Sequence, residues 1–536
     1  MKNANLCWGQ RYMWLRYHQL PSHARHEAHI VLNLGIPAGF TIARIRSALS
    51  YLVRRHETLR TTFHLESDPE QRVSPPAILP LVQATTERDG TATPAEVVER
   101  ISSTEFDLSR EWPIRACVIT TAGAPKQLVL VLNHVAFDAW SIEQLEREIT
   151  ALGAGVSSGR PATLEPVRHQ PSDLARYESA AEATAVKERA LAYWAQEFST
   201  LPADTFDATR TNDAEPIARN ATLTSPAMLD ASRRIAGREQ VWPSLVHVTA
   251  YNMLIAAYTG SGTVAHLSFT GQRDAGQFAE TMTCMFSPLP MSVDCHDDPP
   301  FSELLRRTAQ RAEQARSHSY FPYDELLELM SHESFRRGRE LRIGSEVNFI
   351  GRPHLPCRAS RTTFTWNSTP SAWAHYGSDT YYRIYEWRDA VVVGLNAVST
   401  VMDAGAMERF LRGHEAVLLA HVETSTDLRV SEVARMVGFP AVRANRRPCV
   451  DGDGPITEPM SATSEAQRAL GAVVQKVNGL DDVNLSHSYT VAGGKVLRIP
   501  RVLAMLQENG WGGLSVYQIA SALPLRALAD LLSPVR

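Results

Sequence analysis

At 536 residues the chain is longer than one hydrophobic core organises, and at ~150 residues per unit it divides into three or four. Apolar residues make up 44% and charged residues 21%, which excludes a disordered or fibrous chain, and a formal charge of −4 leaves no basic footprint for nucleic acid or an anionic membrane. The opening, Met1 to Trp8, lacks the apolar stretch of a signal peptide, no apolar run of about 18 residues occurs, and the six cysteines form no Cys-x-x-Cys pair, so a cytoplasmic protein without membrane span, zinc site or disulfide framework is expected.

In chain order, His29 to Ile36 is predicted as a strand, closed by a turn at Pro37-Ala-Gly39. Ile42, Ile45, Leu49, Leu52 and Val53 then mark one face of a helix, and Leu59 to Phe63 is strand-like again. The run Leu128-Val-Leu-Val-Leu132 reads as a buried strand. Directly after it comes Asn133-His-Val-Ala-Phe-Asp-Ala-Trp-Ser141, followed by Ile142, Leu145, Ile149 and Leu152 at helical spacing. Ser141 and Gln144 fit a capping box at the start of that helix. His134 therefore emerges at a strand end, with Asp138 four residues on. The bare His-x-x-x-Asp spacing is weak, and its place between strand and helix is what makes it informative.

Residues 172–200 read as helical. A second α/β region follows, with strands at Val264 to Thr270, Ile343 to Ile350 and Ala390 to Leu395, and helices at Ser302 to Arg316 and Met407 to Val422. Turn and linker chemistry fills about 437–465, including Asp451-Gly-Asp-Gly-Pro455. Residues 466–536 read as a small all-helical unit.

With these elements in place, residues 5–435 resemble a condensation domain of nonribosomal peptide synthetases, within the superfamily of chloramphenicol acetyltransferase. Trp8-Gly-Gln10 with Met13-Trp14 is similar to the family's opening motif, and Arg55 to Phe63 to its second. Phe106-Asp-Leu108 with Pro113-Ile-Arg115 resembles the stretch before the active-site strand. Asn133 to Ser141 takes the place of His-His-x-x-x-Asp-Gly-Trp-Ser, and Tyr193-Trp194, Gly271-Gln-Arg273, Ser287-Pro-Leu-Pro290 and His318 to Tyr323 fit the later motifs. The departures are Asn133 for the first histidine, Ala139 for the glycine after the aspartate, and Thr283 and Ser287 where glycine and asparagine are usual. The methyl group of Ala139 sits where backbone must lie close to the reacting carbonyl.

The tail is similar to a carrier protein in Leu480-Asp-Asp-Val, Tyr489 to Gly494, Leu514-Ser-Val and Pro524 to Leu532. The carrier pattern requires Gly-Gly-Asp-Ser-Leu, and this chain has Gly493-Gly494-Lys495-Val496-Leu497. Val496 has no hydroxyl to esterify, so the resemblance implies a carrier fold without its modification site. Pro500 is expected to perturb the helix that follows.

The resemblance implies an α/β fold: two acetyltransferase-like lobes in a V around a central tunnel, plus a small helical bundle. The corresponding division is 1–180, 181–436, a linker at 437–465, and 466–536. It implies an enzyme that moves an acyl or aminoacyl group from a carrier thioester to an amine, giving an amide, or to an alcohol, giving an ester. His134 is the candidate catalytic residue. A neutral imidazole suits the task because its pKa lies near working pH, whether it takes the amine proton or holds the reacting groups by hydrogen bonds. Asp138 either orients His134 as in a triad or forms a buried ion pair, with Arg273 as partner and Arg60 as second candidate. Asn133, Ala139, Trp140 and Ser141 form the loop, Trp140 and Ser141 either lining the acceptor side or packing and capping. Arg54 and Arg55 read as a solvated helix face, His56 and Glu57 as fold contacts, and His318 as structural. No metal or tightly bound cofactor is required, since a phosphopantetheine arm would arrive on a separate carrier protein. Adenylation motifs are absent, so the chain would work in trans. A monomer is allowed. Two alternatives stay open: epimerisation of a carrier-bound residue, against which the Trp140-Ser141 order speaks, and a non-catalytic docking scaffold, motivated by Asn133, Ala139 and Val496.

Overall fold

The computed structural model describes residues 2–535 apart from 37–39, 87–92, 159–163, 212–215, 274–275, 371–372, 374–376, 424–425 and 441–463. The turn expected at Pro37–Gly39 and most of the expected linker lie outside the described residues.

The first body is built on a four-stranded sheet in the order His29–Gly35, Ala124–Asn133, Ile114–Thr121, Leu81–Thr85. His29 pairs with Asn133, which sets the register of the strand that ends at the candidate loop. Val129, Leu130, Val131 and Leu132 are all wholly buried. That is why the run is continuously apolar rather than alternating: both faces of this inner strand are covered. The helices Ile42–Arg55 and Ala139–Ser158 contribute Ile45, Leu49, Leu52 and Leu145 to the same core. Between Glu57 and Arg60 the expected strand is a turn of 3-10 helix, and the strand itself is Thr61–His64.

The second body holds a seven-stranded mixed sheet in the order Ser287–Asp294, Thr263–Thr270, Ser345–Arg352, Thr380–Trp387, Val391–Val398, Ala218–Ser225, Thr363–Asn367. Ser345–Arg352 and Thr380–Trp387 run parallel, with Asn348 beside Arg383 and Ile350 beside Tyr385. Strand alternation divides their side chains between two faces. Val347, Tyr382 and Ile384 enter the core packed against the helices Pro226–Glu239, Pro243–Thr259 and Ala404–Glu423. Asn348, Tyr381, Arg383 and Tyr385 line a cavity.

Residues 278–287 leave the second body and strap onto the first. Met282 and Cys284 join the first body's core, the Thr58 hydroxyl donates to the Met282 carbonyl, and Gln10 Nε2 donates to Thr283 Oγ1 at 3.1 Å. Gly9 makes this approach possible, since a Cβ there would stand 2.5 Å from both Cys284 O and Met285 Cα. The stretch expected as one helix over 172–200 is two, Pro171–Glu178 and Ala181–Thr200, with Ala180 in extended conformation between them. They break because they serve different partners: the first packs on the strand Lys2–Asn5, the second on the helix Tyr323–Arg337.

The tail packs the helices Glu465–Asn478, Ile499–Glu508, Val516–Ala520 and Leu525–Ala529 around Val474, Tyr489, Val502 and Leu528. It is not all-helical, because Trp511–Gly512 pairs antiparallel with Ser533–Pro534. Pro500 does not disturb its helix, since it occupies the first turn, where its missing N–H has no intrahelical partner to lose. Leu15 from the helix Trp8–Gln19 belongs to the tail's core and Leu327 packs against it, so the tail grips both bodies.

Candidate active site

His134 follows the last residue of the strand Ala124–Asn133 and lines a cavity of about 440 Å³ between the bodies. From the first body the walls are His134, Asp138, Ala139, Trp140 and Glu143; from the second, they include Phe269, Phe286, Asn348, Tyr381 and Arg383. Asn133 shapes the turn that presents the ring. Its backbone N–H donates to the Pro113 carbonyl at 3.0 Å, and its side-chain Oδ1 accepts from Val135 N at 3.0 Å. Asn133 is itself buried, with a covalent and hydrogen-bonding role in the turn and no place among the cavity walls.

Nδ1 of His134 is buried and has no partner of good geometry among the described residues, and the ring of Phe286 lies 6.1 Å away, centroid to centroid. Burial holds the imidazole pKa below its ordinary value, against smaller opposing effects of backbone carbonyls and the Asp138 charge. The ring is therefore neutral at neutral pH, as a proton acceptor must be. Because the shift is downward, a rate that needs the free imidazole falls only as pH drops through a value below the ordinary ~6.5. A pH profile of kcat/KM, corrected for ionisation of the acceptor amine, is expected to place its acid limb there. A limb at or above the ordinary histidine value contradicts this.

Asp138 does not orient His134. Its Oδ1 accepts from Ser141 N at 2.9 Å, and its Oδ2 accepts from Arg273 Nη2 at 2.9 Å and from Met285 N at 3.0 Å. The helix thus begins at Ala139 with Asp138 as its cap, and not with Ser141 as the sequence pattern suggested. Ser141 instead reaches the strap, its hydroxyl donating to the Thr283 carbonyl at 2.8 Å and accepting from Thr283 N at 3.0 Å. Arg273 Nη1 donates to the carbonyls of Ala279 and Thr281 at 2.8 and 2.9 Å, and its guanidinium lies 4.4 Å from the Trp140 ring centroid. Asp138 and Arg273 are almost fully buried, with 6% and 9% of their side chains exposed. Arg60, the second partner considered from sequence, points elsewhere: it donates to the carbonyls of Val53 and Ser74.

Other expected positions separate in the same way. Ala139 is exposed to the cavity and Trp140 lines it beside His134. Arg55 is not solvated; its Nε donates to Glu148 on the site helix at 3.1 Å, and His56 Nε2 lies 2.7 Å from the same carboxylate. Glu57 accepts from Ser172 Oγ at 2.6 Å. His318 stacks on Tyr193 at 4.0 Å and lies away from the cavity. Gly494 packs on Tyr489, Lys495 Nζ sits 3.5 Å from Glu328, and Val496 is wholly buried. Among the described residues no cluster of three or more His, Cys, Asp or Glu could hold a metal ion, and no helix is long and apolar enough to cross a membrane.

Sequence reasoning missed the far wall. Asn348, Arg352, Tyr381, Arg383 and Tyr385 line the cavity at alternate positions of two adjacent strands. Arg352 Nη1 donates to Glu143 Oε1 at 2.6 Å and closes an ion pair across the two bodies. A second, smaller cavity of about 110 Å³ lies under the tail. Tyr12 lines it and stands 6.0 Å from Phe286 and 6.4 Å from Phe269, which line the His134 cavity, so an aromatic partition separates the two.

Comparison with known proteins bears on the family and the fold. The sequence profile described as condensation domain matches residues 5–350. The chain is 28% identical over 337 residues to a probable non-canonical nonribosomal peptide synthetase, CymA, of Salinispora arenicola, covering 61% of this chain and 4% of that protein. It is 27% identical over 310 residues to the chondramide synthase of Chondromyces crocatus, covering 54% of this chain and 8% of that one. It thus spans a small fraction of the length of these relatives. Among solved structures, the X-domain of teicoplanin biosynthesis, in complex with OxyB, has a TM-score of 0.61 at 20% identity, with 81% of this chain and 96% of that chain covered. The condensation domain of the monacolin K polyketide synthase MokA has a TM-score of 0.62 at 16% identity, with 80% and 99% covered.

Proposed function

The chain belongs to the condensation-domain family, and from that premise we propose that it is an acyltransferase that forms an amide at His134. In this reading an acyl or aminoacyl group arrives as a thioester on the phosphopantetheine arm of a separate carrier protein. The amine nitrogen of the acceptor attacks the thioester carbonyl carbon, the carbon–sulfur bond breaks, and the amine proton passes by way of the His134 ring to the departing thiolate, which leaves as the carrier's thiol. Holding the two reactants in one cavity supplies much of the effect, because amines are already good nucleophiles. The single observation that carries the proposal is the placement of a neutral imidazole on the wall of a cavity between the two bodies. Asp138 and Arg273 hold the loop and the strap together beneath it, which favours a structural role over a triad.

In the same reading residues 1–180 and 181–436 are the two lobes, 437–465 the linker and 466–536 a carrier-like unit without a modification site. Its Val496 is wholly buried in the tail's core, and its N–H donates to Glu328 Oε1 at 2.9 Å. Arg498 forms a two-pronged ion pair with Asp68 at 2.7 and 2.8 Å. These contacts support a tail that clamps the lobes from one side and delivers no substrate.

Two measurements test this reading. Incubation of the chain with an acyl or aminoacyl carrier and candidate amines should give amide, followed by product mass; no product with any pair would favour the scaffold. Treatment with a phosphopantetheinyl transferase should leave the intact mass of the chain unchanged, whereas a mass gain would show that the tail carries a serine able to take the arm.

A further inference from the structure

We infer that the His134 cavity contains a carboxylate-binding subsite centred on Arg383, and that the acceptor is a free amine bearing a carboxylate. This rests on the acyl-transfer reading above and names its acceptor class. The charges on the cavity wall are Asp138, Glu143, Arg352 and Arg383, with His134 neutral. Asp138 is spent on Arg273, and Glu143 on Arg352. Arg383 alone among them has no carboxylate within ion-pair distance among the described residues. Its Nη2 donates to the neutral Asn396 Oδ1 at 3.1 Å, and its Nε is buried with no partner.

The surroundings hold that guanidinium in place. It lies 5.3 Å from the centroid of the Tyr381 ring, and the register sets Asn348 directly beside it. Asn348 Nδ2 is fixed on Tyr381 Oη at 3.1 Å. Both residues face the cavity because they occupy the outward positions of strands whose alternate residues are core. A half-buried cation without a counter-charge is costly to keep. A ligand carboxylate would supply the missing charge in the planar, two-pronged geometry that guanidinium favours. The carboxyl group through which an amino acid is tethered to a carrier is tied up as the thioester, so that carboxylate can reach Arg383 only in a free acceptor.

The test uses the full chain and a defined panel: free amino acids and 3- and 4-aminobenzoate, each with its primary amide. Calorimetric binding needs no turnover and so reads the subsite even if catalysis fails. At least one carboxylate should bind wild type about 10–100-fold more tightly than its amide, as a charge-assisted hydrogen bond implies. Arg383→Gln should erase that difference while leaving amide binding and the melting temperature unchanged, and Arg383→Lys should restore part of it. In turnover with an acyl carrier, Arg383→Gln should raise KM for the carboxylate acceptor with little change in kcat. The inference falls if no panel member is preferred over its amide, or if Arg383→Gln weakens both forms equally. Preferential carboxylate binding without amide formation would keep the subsite and remove the acyl-transfer reading. If acyl donors bearing a carboxylate alone show the Arg383 dependence, the subsite serves the donor and the acceptor assignment is wrong.

Discussion

Asp138→Ala is expected to lower the unfolding free energy by about 3–5 kcal/mol, the cost of stranding a buried cation. The carboxylate joins three pieces of chain that are distant in sequence: the first turn of the site helix through Ser141 N, the strap through Met285 N, and Arg273 through its guanidinium. Removing it leaves Arg273 with the carbonyls of Ala279, Thr281 and Thr283, which satisfy hydrogen bonds and carry no net charge. The double variant Asp138→Ala, Arg273→Met should recover most of the loss, because the uncompensated charge disappears with its partner. Urea unfolding of the two single variants and the double variant checks this. A single Asp138→Ala variant within about 1 kcal/mol of wild type would show that the pair is a minor surface-like contact.

The second large effect concerns His134. His134→Ala should reduce kcat by about 100–10,000-fold, the range for loss of a positioned general base, with KM nearly unchanged. Among the described residues no other lining residue supplies a neutral imidazole, and of the carboxylates Asp138 is held by three donors and Glu143 by Arg352. His134→Gln divides the effect, since an amide donates a hydrogen bond to the reacting groups and takes no proton. Activity retained by the glutamine variant measures the hydrogen-bonding share; the remainder is proton transfer.

How much of this was legible depended on whether a feature was local. The strand before His134 announced itself because four consecutive wholly buried residues leave no room for polar alternation. The helix after it was equally plain, yet its cap was misplaced from Asp138 to Ser141. Both residue types cap well, and the Ser141 hydroxyl is engaged instead by the strap, about 140 residues downstream, and by Arg273. Arg55 read as solvated for the same reason, because Glu148 lies 93 positions away. Arg383 and Asn348 were invisible. They sit in half-polar strands of ordinary composition, and their meaning comes from a parallel pairing and from the His134 loop opposite. The tail's buried Val496 was visible as a missing hydroxyl, but its seat on Glu328 was not, since the two lie 168 positions apart.

The most direct test of the central claim is a single-turnover reaction. A carrier loaded with an acyl or aminoacyl thioester is mixed with excess chain and a carboxylate-bearing amine, quenched at intervals, and read by intact mass. The account predicts that the carrier loses its acyl group as an equal amount of amide appears, and that His134→Ala slows both by the same large factor. Equal rates for wild type and His134→Ala, or a carrier that stays loaded with every amine offered to the wild type, would contradict it.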